Sequence, residues 1–309
     1  MKLLSVIVPC YNEQENIFDF HKEFLKVEEY FKEIDVEIEF LFIDDGSVDE
    51  TAKEIKKLSE IDRRVHMVSF SRNFGKEAAI YAGLEKSKGD YAVLMDVDLQ
   101  DPPSLLPEMF QGILDGYESV ATRRVSRKGE PIIRSFFAKL FYKIMRKISK
   151  ADIVDGARDY RIMTRKYVNA VLQIAEYNRF TKGIFGWVGF ETKWLAYENV
   201  ERNKGKTKWS FWKLLKYSLE GILGFSTAPL AFASVIGILF CVLAFCFLIF
   251  IFARALIFGD PVAGWPSTIC IILLVSGVQM FCMGIMGQYM AKTYLEVKNR
   301  PIYIVKDEL

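Results

Sequence analysis

The stretch Tyr91–Pro103, YAVLMDVDLQDPP, passes abruptly from an apolar run into carboxylates, an amide and two prolines. Tyr91 to Met95 reads as a short buried strand, and Asp96-Val97-Asp98 marks its carboxyl end. Pro102-Pro103 stiffens the turn that follows. The same design recurs upstream. Leu3 to Val8 is a β-rich run closed by Pro9-Cys10-Tyr11-Asn12-Glu13, and Val36 to Ile43 is a run closed by Asp44-Asp45-Gly46-Ser47. Val65 to Phe70 is a further strand. Between these runs apolar residues return at helical spacing over about 15–31, 49–58 and 77–84. Strands alternating with helices imply an α/β fold, a mostly parallel sheet with helices on both faces. In such sheets ligands bind beyond the carboxyl ends of the strands, where the polar motifs lie.

The residue types at these ends define a chemistry. Asp96, Asp98 and Gln100 are hard oxygen donors suited to Mg²⁺ or Mn²⁺, with phosphate oxygens completing the shell. A DxD alone recurs by chance; its continuation as DVDLQDPP carries more weight. Carboxylates in the first two motifs can accept from a base N–H or from ribose hydroxyls. Taken alone, Asp44-Asp45-Gly46-Ser47 is equally a turn and helix cap; three polar motifs on strand ends favour a nucleotide site. Neither a GxGxxG nor a GxxxxGK[ST] stands where a strand–turn–helix would need it, which disfavours dinucleotide and P-loop readings.

PCYNEQEN (9–16), DDGSVDET (44–51), SRNFGKEAA (71–79) and DVDLQDPP (96–103), in that order, resemble family 2 glycosyltransferases of the GT-A fold. More narrowly they resemble bacterial polyprenyl-phosphate (bactoprenol) glucosyltransferases, related to dolichyl-phosphate mannose synthase. The resemblance implies that Pro9, Tyr11, Asn12, Glu13, Asp44 and Asp45 line the site of a UDP-sugar, with Lys76 approaching the nucleotide or diphosphate. It implies that Asp96 lies near ribose, diphosphate and metal, and that Asp98 and Gln100 bind the metal. Asp155–Arg161, DGARDYR, resembles the family's GDFRL segment, with two departures, Ala157-Arg158 where glycine is usual and Tyr160 for phenylalanine. Asp159 is the candidate catalytic carboxylate, as base or positioning group, because a phosphate monoester is already mostly dianionic at neutral pH. The basic block Arg123, Arg124, Arg127, Lys128 and Arg134 suits a lipid phosphate, which arginine grips bidentately. The resemblance assigns Arg123 and Arg134 to the acceptor phosphate and catalysis, and Arg124 and Arg161 belong to the same acceptor set.

The chain of 309 residues is 51% hydrophobic with a net charge of +2, so its bulk electrostatics suggest no nucleic-acid partner. The apolar residues concentrate late. Leu230 to Ala253 and Ser267 to Ala291 hold no charged residue. At about 1.5 Å per residue, each is long enough for a hydrocarbon core of about 30 Å. Lys204, Lys206, Lys208, Lys213 and Lys216 precede the first span, and Lys292, Lys298, Arg300 and Lys306 follow the second. That bias puts both ends in the cytoplasm. Residues 136–148 and 209–225 combine aromatics with Lys and Arg, as interfacial helices do. The expected organisation is a catalytic domain over 1–228, a two-helix anchor over 229–291 (spans about 230–253 and 267–290) and a cytoplasmic tail over 292–309. The start of the chain is read as a strand, not a signal peptide, since the apolar run is too short. Lys306-Asp307-Glu308-Leu309 matches a retrieval signal, but a cytosolic terminus makes this a coincidence. The five cysteines form no metal spacing, and His21 and His66 are read as structural.

The resemblance implies inverting hexose transfer onto polyprenyl phosphate at the membrane, glucose first and N-acetylglucosamine next. A flippase and a second glycosyltransferase would act downstream, and the resemblance implies a homo-oligomer, a tetramer being the candidate. A processive polysaccharide synthase would want more spans and a QxxRW motif, and a non-catalytic scaffold would have no use for metal ligands.

Overall fold

The computed structural model describes residues 2–124, 154, 156–197, 222–224, 226–258 and 264–309. Four strands, β1 (Lys2–Cys10), β2 (Val36–Asp44), β3 (Val65–Phe70) and β4 (Tyr91–Leu94), are mutually parallel. The expected strands are all present within two residues at either end. Helices α1 (Ile17–Leu25), α2 (Glu28–Glu33), α3 (Thr51–Ile61) and α4 (Lys76–Lys86) connect them. The single helix expected over 15–31 is two helices, broken between Lys26 and Val27. After α5 (Leu106–Leu114) come β5 (Ser119–Arg124), β6 (Ala157–Thr164), α6 (Arg165–Leu172), α7 (Thr181–Trp187) and β7 (Thr192–Tyr197).

The sheet has eight strands in the order β7-β5-β6-β4-β1-β2-β3-β8, where β8 is Val305–Glu308. It is largely parallel but mixed. Strand β6 runs antiparallel to both β4 and β5, and β8 antiparallel to β3. Alternation along β1 explains the layers. Leu4, Val6 and Val8 pack with α1, α2, α3 and α5 on one face, while Ile7 on the other face packs with α4, α6 and α7. Both faces are buried, as parallel strands require. Gly83 on α4 lets that helix press on β1, since a Cβ there would sit 2.2 Å from Ile7 Cγ2.

The residues read as a C-terminal tail close the sheet. Leu309 and Met67 exchange backbone hydrogen bonds of 2.9 and 3.2 Å, while Lys86 pairs with Glu308 at 2.8 Å. Before β8 the chain makes two long helices, α8 (Ala228–Phe258) and α9 (Trp265–Val297), which pack on each other. Among the described residues one segment, Ala228–Phe247, is long and apolar enough by length and composition to cross a membrane. Its side chains face outward: Phe232, Val235, Ile238, Leu239 and Leu243 are all more than half exposed. The interfacial segments 136–148 and 209–225, apart from residues 222–224, lie outside the described residues.

Candidate active site

The sheet's order reverses around β1, which lies between β4 and β2, so its carboxyl-end crevice is a topological switch point. The loops around it are tied by side chains of the expected motifs. Asn12, at the left-handed φ of 53°, accepts from the backbone N–H of Val48, and its own N–H donates to Ser47 at 2.9 Å. Asp44 is buried, and its carboxylate accepts from Ser47 N–H at 3.0 Å and Ser69 hydroxyl at 2.6 Å. Asp45 accepts from Phe74 and Gly75 N–H at 2.6 and 2.9 Å, fastening the 71–75 loop. Burial pushes the Asp45 carboxyl up to about 6 against those two bonds. Gly46 makes this closeness possible. It has φ of 64°, and a Cβ there would lie 2.3 Å from the Arg72 carbonyl carbon. Pro9, Tyr11 and Glu13 are partly buried on the same rim.

At the next strand end three charged side chains meet. Lys76, the first residue of α4, lies 2.8 Å from Asp96 and 2.7 Å from Asp159. The pairing of Leu94 with Arg161, continued past the end of β4, brings Asp159 opposite Asp96. Burial works against charge on Lys76, yet Asp159 and Asp96 together hold it above the usual lysine range. Burial likewise disfavours charge on Asp159, but Lys76 and then Lys182 hold it well below the usual carboxylate range. Asp159 is therefore ionised at neutral pH. Asp98 is buried and accepts from Gln100 N–H at 3.2 Å; between them Leu99 sits at φ of 58°. Such a backbone, rare for leucine, is characteristic of constrained functional turns.

Several residues that reading the motifs did not single out complete the constellation. Lys182 on α7 stands 4.0 Å from Asp159 and donates to the Ala157 carbonyl at 3.1 Å. Arg158, a departure from the resembled segment, donates to Gln100 Oε1 at 3.4 Å and to the Tyr197 hydroxyl at 3.2 Å. Tyr197 in turn donates to Asp101, 1% exposed, whose carboxyl is pushed up to about 6 by burial, against the pull of Arg158. The second departure, Tyr160, finds a partner for its hydroxyl in the Pro102 carbonyl at 3.2 Å, anchoring the Pro102-Pro103 turn. Asp101 stood inside a quoted motif and Arg158 inside another; nothing local in the sequence points to Tyr197 or Lys182.

The proposed acceptor arginines differ in their surroundings. Arg123 is exposed near the end of β5, and Arg134 lies outside the described residues. Arg124 ends β5. Arg161 is 4% exposed, donates to the Tyr167 hydroxyl at 2.7 Å and lies over the Phe185 ring. Its Nε has no hydrogen-bond partner among the described residues, and it lines a cavity of about 260 Å³ with Arg158 and Lys182. His21 sits 2.9 Å from Asp62, and the Cys10 thiol, at the strand end beside Asp44, is buried against the Val8 carbonyl.

An α/β sheet with carboxylates and a lysine converging at its switch point has the form of a crevice for a phosphorylated ligand. The chain belongs to glycosyl transferase family 2, whose model matches residues 5–172. Along nearly its whole length it is 43% identical to the putative glycosyltransferase CsbB of Bacillus subtilis (99% of this chain, 92% of that protein). It is 39% identical to the bactoprenol glucosyl transferase of Shigella phage SfII (98% of this chain, 97% of that protein). Among solved structures, a mannosyltransferase from Pyrobaculum calidifontis resembles it at a TM-score of 0.48 and 17% identity, covering 93% of this chain and 86% of that one.

Proposed function

We propose that this glycosyltransferase moves a hexose, glucose first and N-acetylglucosamine next, from a UDP-sugar to a polyprenyl phosphate at the cytoplasmic membrane face, with inversion. The observation that carries the chemistry is the meeting of Asp96, Lys76 and Asp159 at the switch-point crevice. The lipid acceptor is supported by the near full-length likeness to proteins named bactoprenol glucosyl transferases.

Asp96, Asp98 and Gln100 offer only hard oxygen donors, which fits Mg²⁺ or Mn²⁺. With two carboxylates and an amide in place, phosphate oxygens of the donor would complete the shell of a cation held there. A cation bound there would offset charge on the departing UDP. Lys76, already beside Asp96, supplies a second positive charge as the sugar–phosphate bond breaks. Lys76 and Lys182 favour the ionised form of Asp159, and a dianionic phosphate acceptor has no proton to give. Its role is to position Lys76 and Lys182. Pro9, Tyr11, Asn12, Glu13, Asp44 and Asp45 form the uridine end of the crevice. Arg161, whose Nε is unpartnered among the described residues, and the exposed Arg123 are suited to the acceptor phosphate, and Arg124 and Arg134 belong to the same proposed set.

The membrane reading has a topological support. Strand β8 returns the chain to the catalytic sheet after α8 and α9, so the number of crossings between is even. If α8 crosses, α9 crosses back, giving two spans with both ends on the cytoplasmic side. The lipid-linked product then requires a flippase and a second glycosyltransferase, and the homo-oligomer implied by the family likeness belongs to the same reading.

The test is transfer from radiolabelled UDP-glucose and UDP-N-acetylglucosamine to undecaprenyl phosphate, with Mg²⁺ or EDTA, for wild type and Asp98→Ala. Metal-dependent lipid label, lost in the variant, is the expected result and names the sugar. Folded protein that binds UDP yet labels no lipid from either donor would reopen a polysaccharide or other lipid acceptor.

A further inference from the structure

A second cavity, of about 400 Å³, lies where the catalytic domain meets the end of the helical hairpin. Its walls include Arg72, Glu77, Arg179, Leu223, Lys292 and Leu295. Arg179 is only 8% exposed, and its Nε and Nη2 have no hydrogen-bond partner among the described residues. Nη1 is occupied by the Ile174 carbonyl, and the guanidinium lies 4.5 Å from the centre of the Tyr81 ring. The group is thus held by one end and one face. What is left is its side-on edge, Nε–H with Nη2–H, the pair that grips two oxygens of a phosphate or carboxylate. Leaving two such donors buried and unmatched is costly, and burial depresses the Arg179 guanidinium from its ordinary range. Glu77 also stands on the wall, but its carboxylate accepts from the Thr181 N–H and hydroxyl. Glu176 lies nearby, and its carboxyl is raised by burial. Arg72 and Lys292 add two further positive charges.

The location identifies the source of the anion. Lys292 is the first charged residue after the charge-free run Ser267–Ala291. A helix that crosses a bilayer leaves the hydrocarbon at such a residue, so the cavity stands at headgroup level with Leu223 and Leu295 on its wall. We propose that this cavity binds the phosphate headgroup of an anionic membrane lipid, with the Nε–Nη2 edge of Arg179 holding two phosphate oxygens and Arg72 and Lys292 flanking them. The proposal rests on the reading that the hairpin enters the membrane. The site is lined by residues other than Asp96, Lys76 and Asp159 and shares only the 71–75 loop with the sugar-transfer crevice; its occupant ties the catalytic domain to the bilayer surface at a fixed height.

The test uses the full chain in a neutral detergent, titrated with phosphatidylglycerol, phosphatidylcholine or inorganic phosphate, with retained adducts counted by native mass spectrometry. Wild type should retain phosphatidylglycerol over phosphatidylcholine. Arg179→Gln, and separately the double variant Arg72→Gln with Lys292→Gln, should lose that retention by about tenfold or more, as removal of charge-assisted bonds implies. Arg179→Lys, which keeps charge but not the fork, should fall between. Should Arg179→Gln fail to fold, the double variant decides, because Arg72 is exposed and Lys292 only half-buried. Equal retention of the two lipids, unchanged retention in the variants, or inorganic phosphate binding as tightly as phosphatidylglycerol would each overturn the proposal. Flotation of the protein with pure phosphatidylcholine vesicles tests the parent reading separately. Failure to insert sinks both, whereas insertion without headgroup discrimination sinks this one alone.

Discussion

At Asp159 the surroundings decide what a carboxylate can do. Two lysines hold it ionised far below neutral pH, so exchanging it for Asn removes charge, not basicity. Asp159→Asn should cost roughly 100-fold in kcat, the scale of a misplaced positioning group, with no change in the shape of the pH–rate profile between pH 6 and 9. A low-pH limb present in the wild type and lost in the variant would show a general base instead. Lys76→Gln should cost at least as much, with the larger part in kcat, read by steady-state transfer kinetics. Asp45 carries a pH dependence of opposite kind. Its carboxyl is raised to about 6 from an ordinary 3.8, so the folded state favours the protonated form. The associated stability is complete below about pH 4 and is lost as pH rises through about 6. Asp45→Asn keeps an acceptor for Phe74 and Gly75 without the charge. Its melting temperature relative to wild type should therefore rise across pH 4 to 7, by the equivalent of up to about 3 kcal/mol for a shift near two units. A flat difference across that range would refute the assignment.

At the scale of elements, the motifs act by fastening neighbouring loops. The Asp44-to-Ser47 turn holds the 71–75 loop only because Gly46 has no side chain. Gly46→Ala meets Arg72 backbone at a left-handed φ and should destabilise by about 2 kcal/mol or more, measured by chemical denaturation. Strand β8 is the other test. Removing residues 305–309 uncovers the edge of β3 and deletes the Lys86–Glu308 and Lys56–Asp307 pairs. Exposed ion pairs contribute little, so the effect should come from the unpaired edge. A lower melting temperature and concentration-dependent aggregation are expected by scanning fluorimetry and light scattering. The strands β1 to β4 and their polar ends were legible because apolar runs stopped at Asp, Pro and Gly. Strand β8 was not, since three of the four residues Val305–Glu308 are charged and none is buried, leaving no apolar run to read. The break between α1 and α2 was hidden as well, because both helices bury residues on the same side and the apolar spacing runs through it.

At the scale of the whole molecule, the return of the chain to the sheet constrains how it can meet a membrane. An impermeant thiol reagent applied from outside should label a cysteine placed at Gly264, between α8 and α9, and leave one at Lys2 untouched in intact cells. Labelling of both or neither would rule out two spans. The chain's own pattern determined the α/β class, the switch-point location of the polar motifs and the charge-free helices, because each is written in local periodicity and in residue type. Tertiary structure alone decided that Asp96, Lys76 and Asp159 converge, that Arg158, Tyr197 and Lys182 join them, and that the last residues complete the sheet. Those contacts join residues far apart in the chain, through the antiparallel register of β6 and the packing of α4 and α7, and no local preference encodes such a meeting.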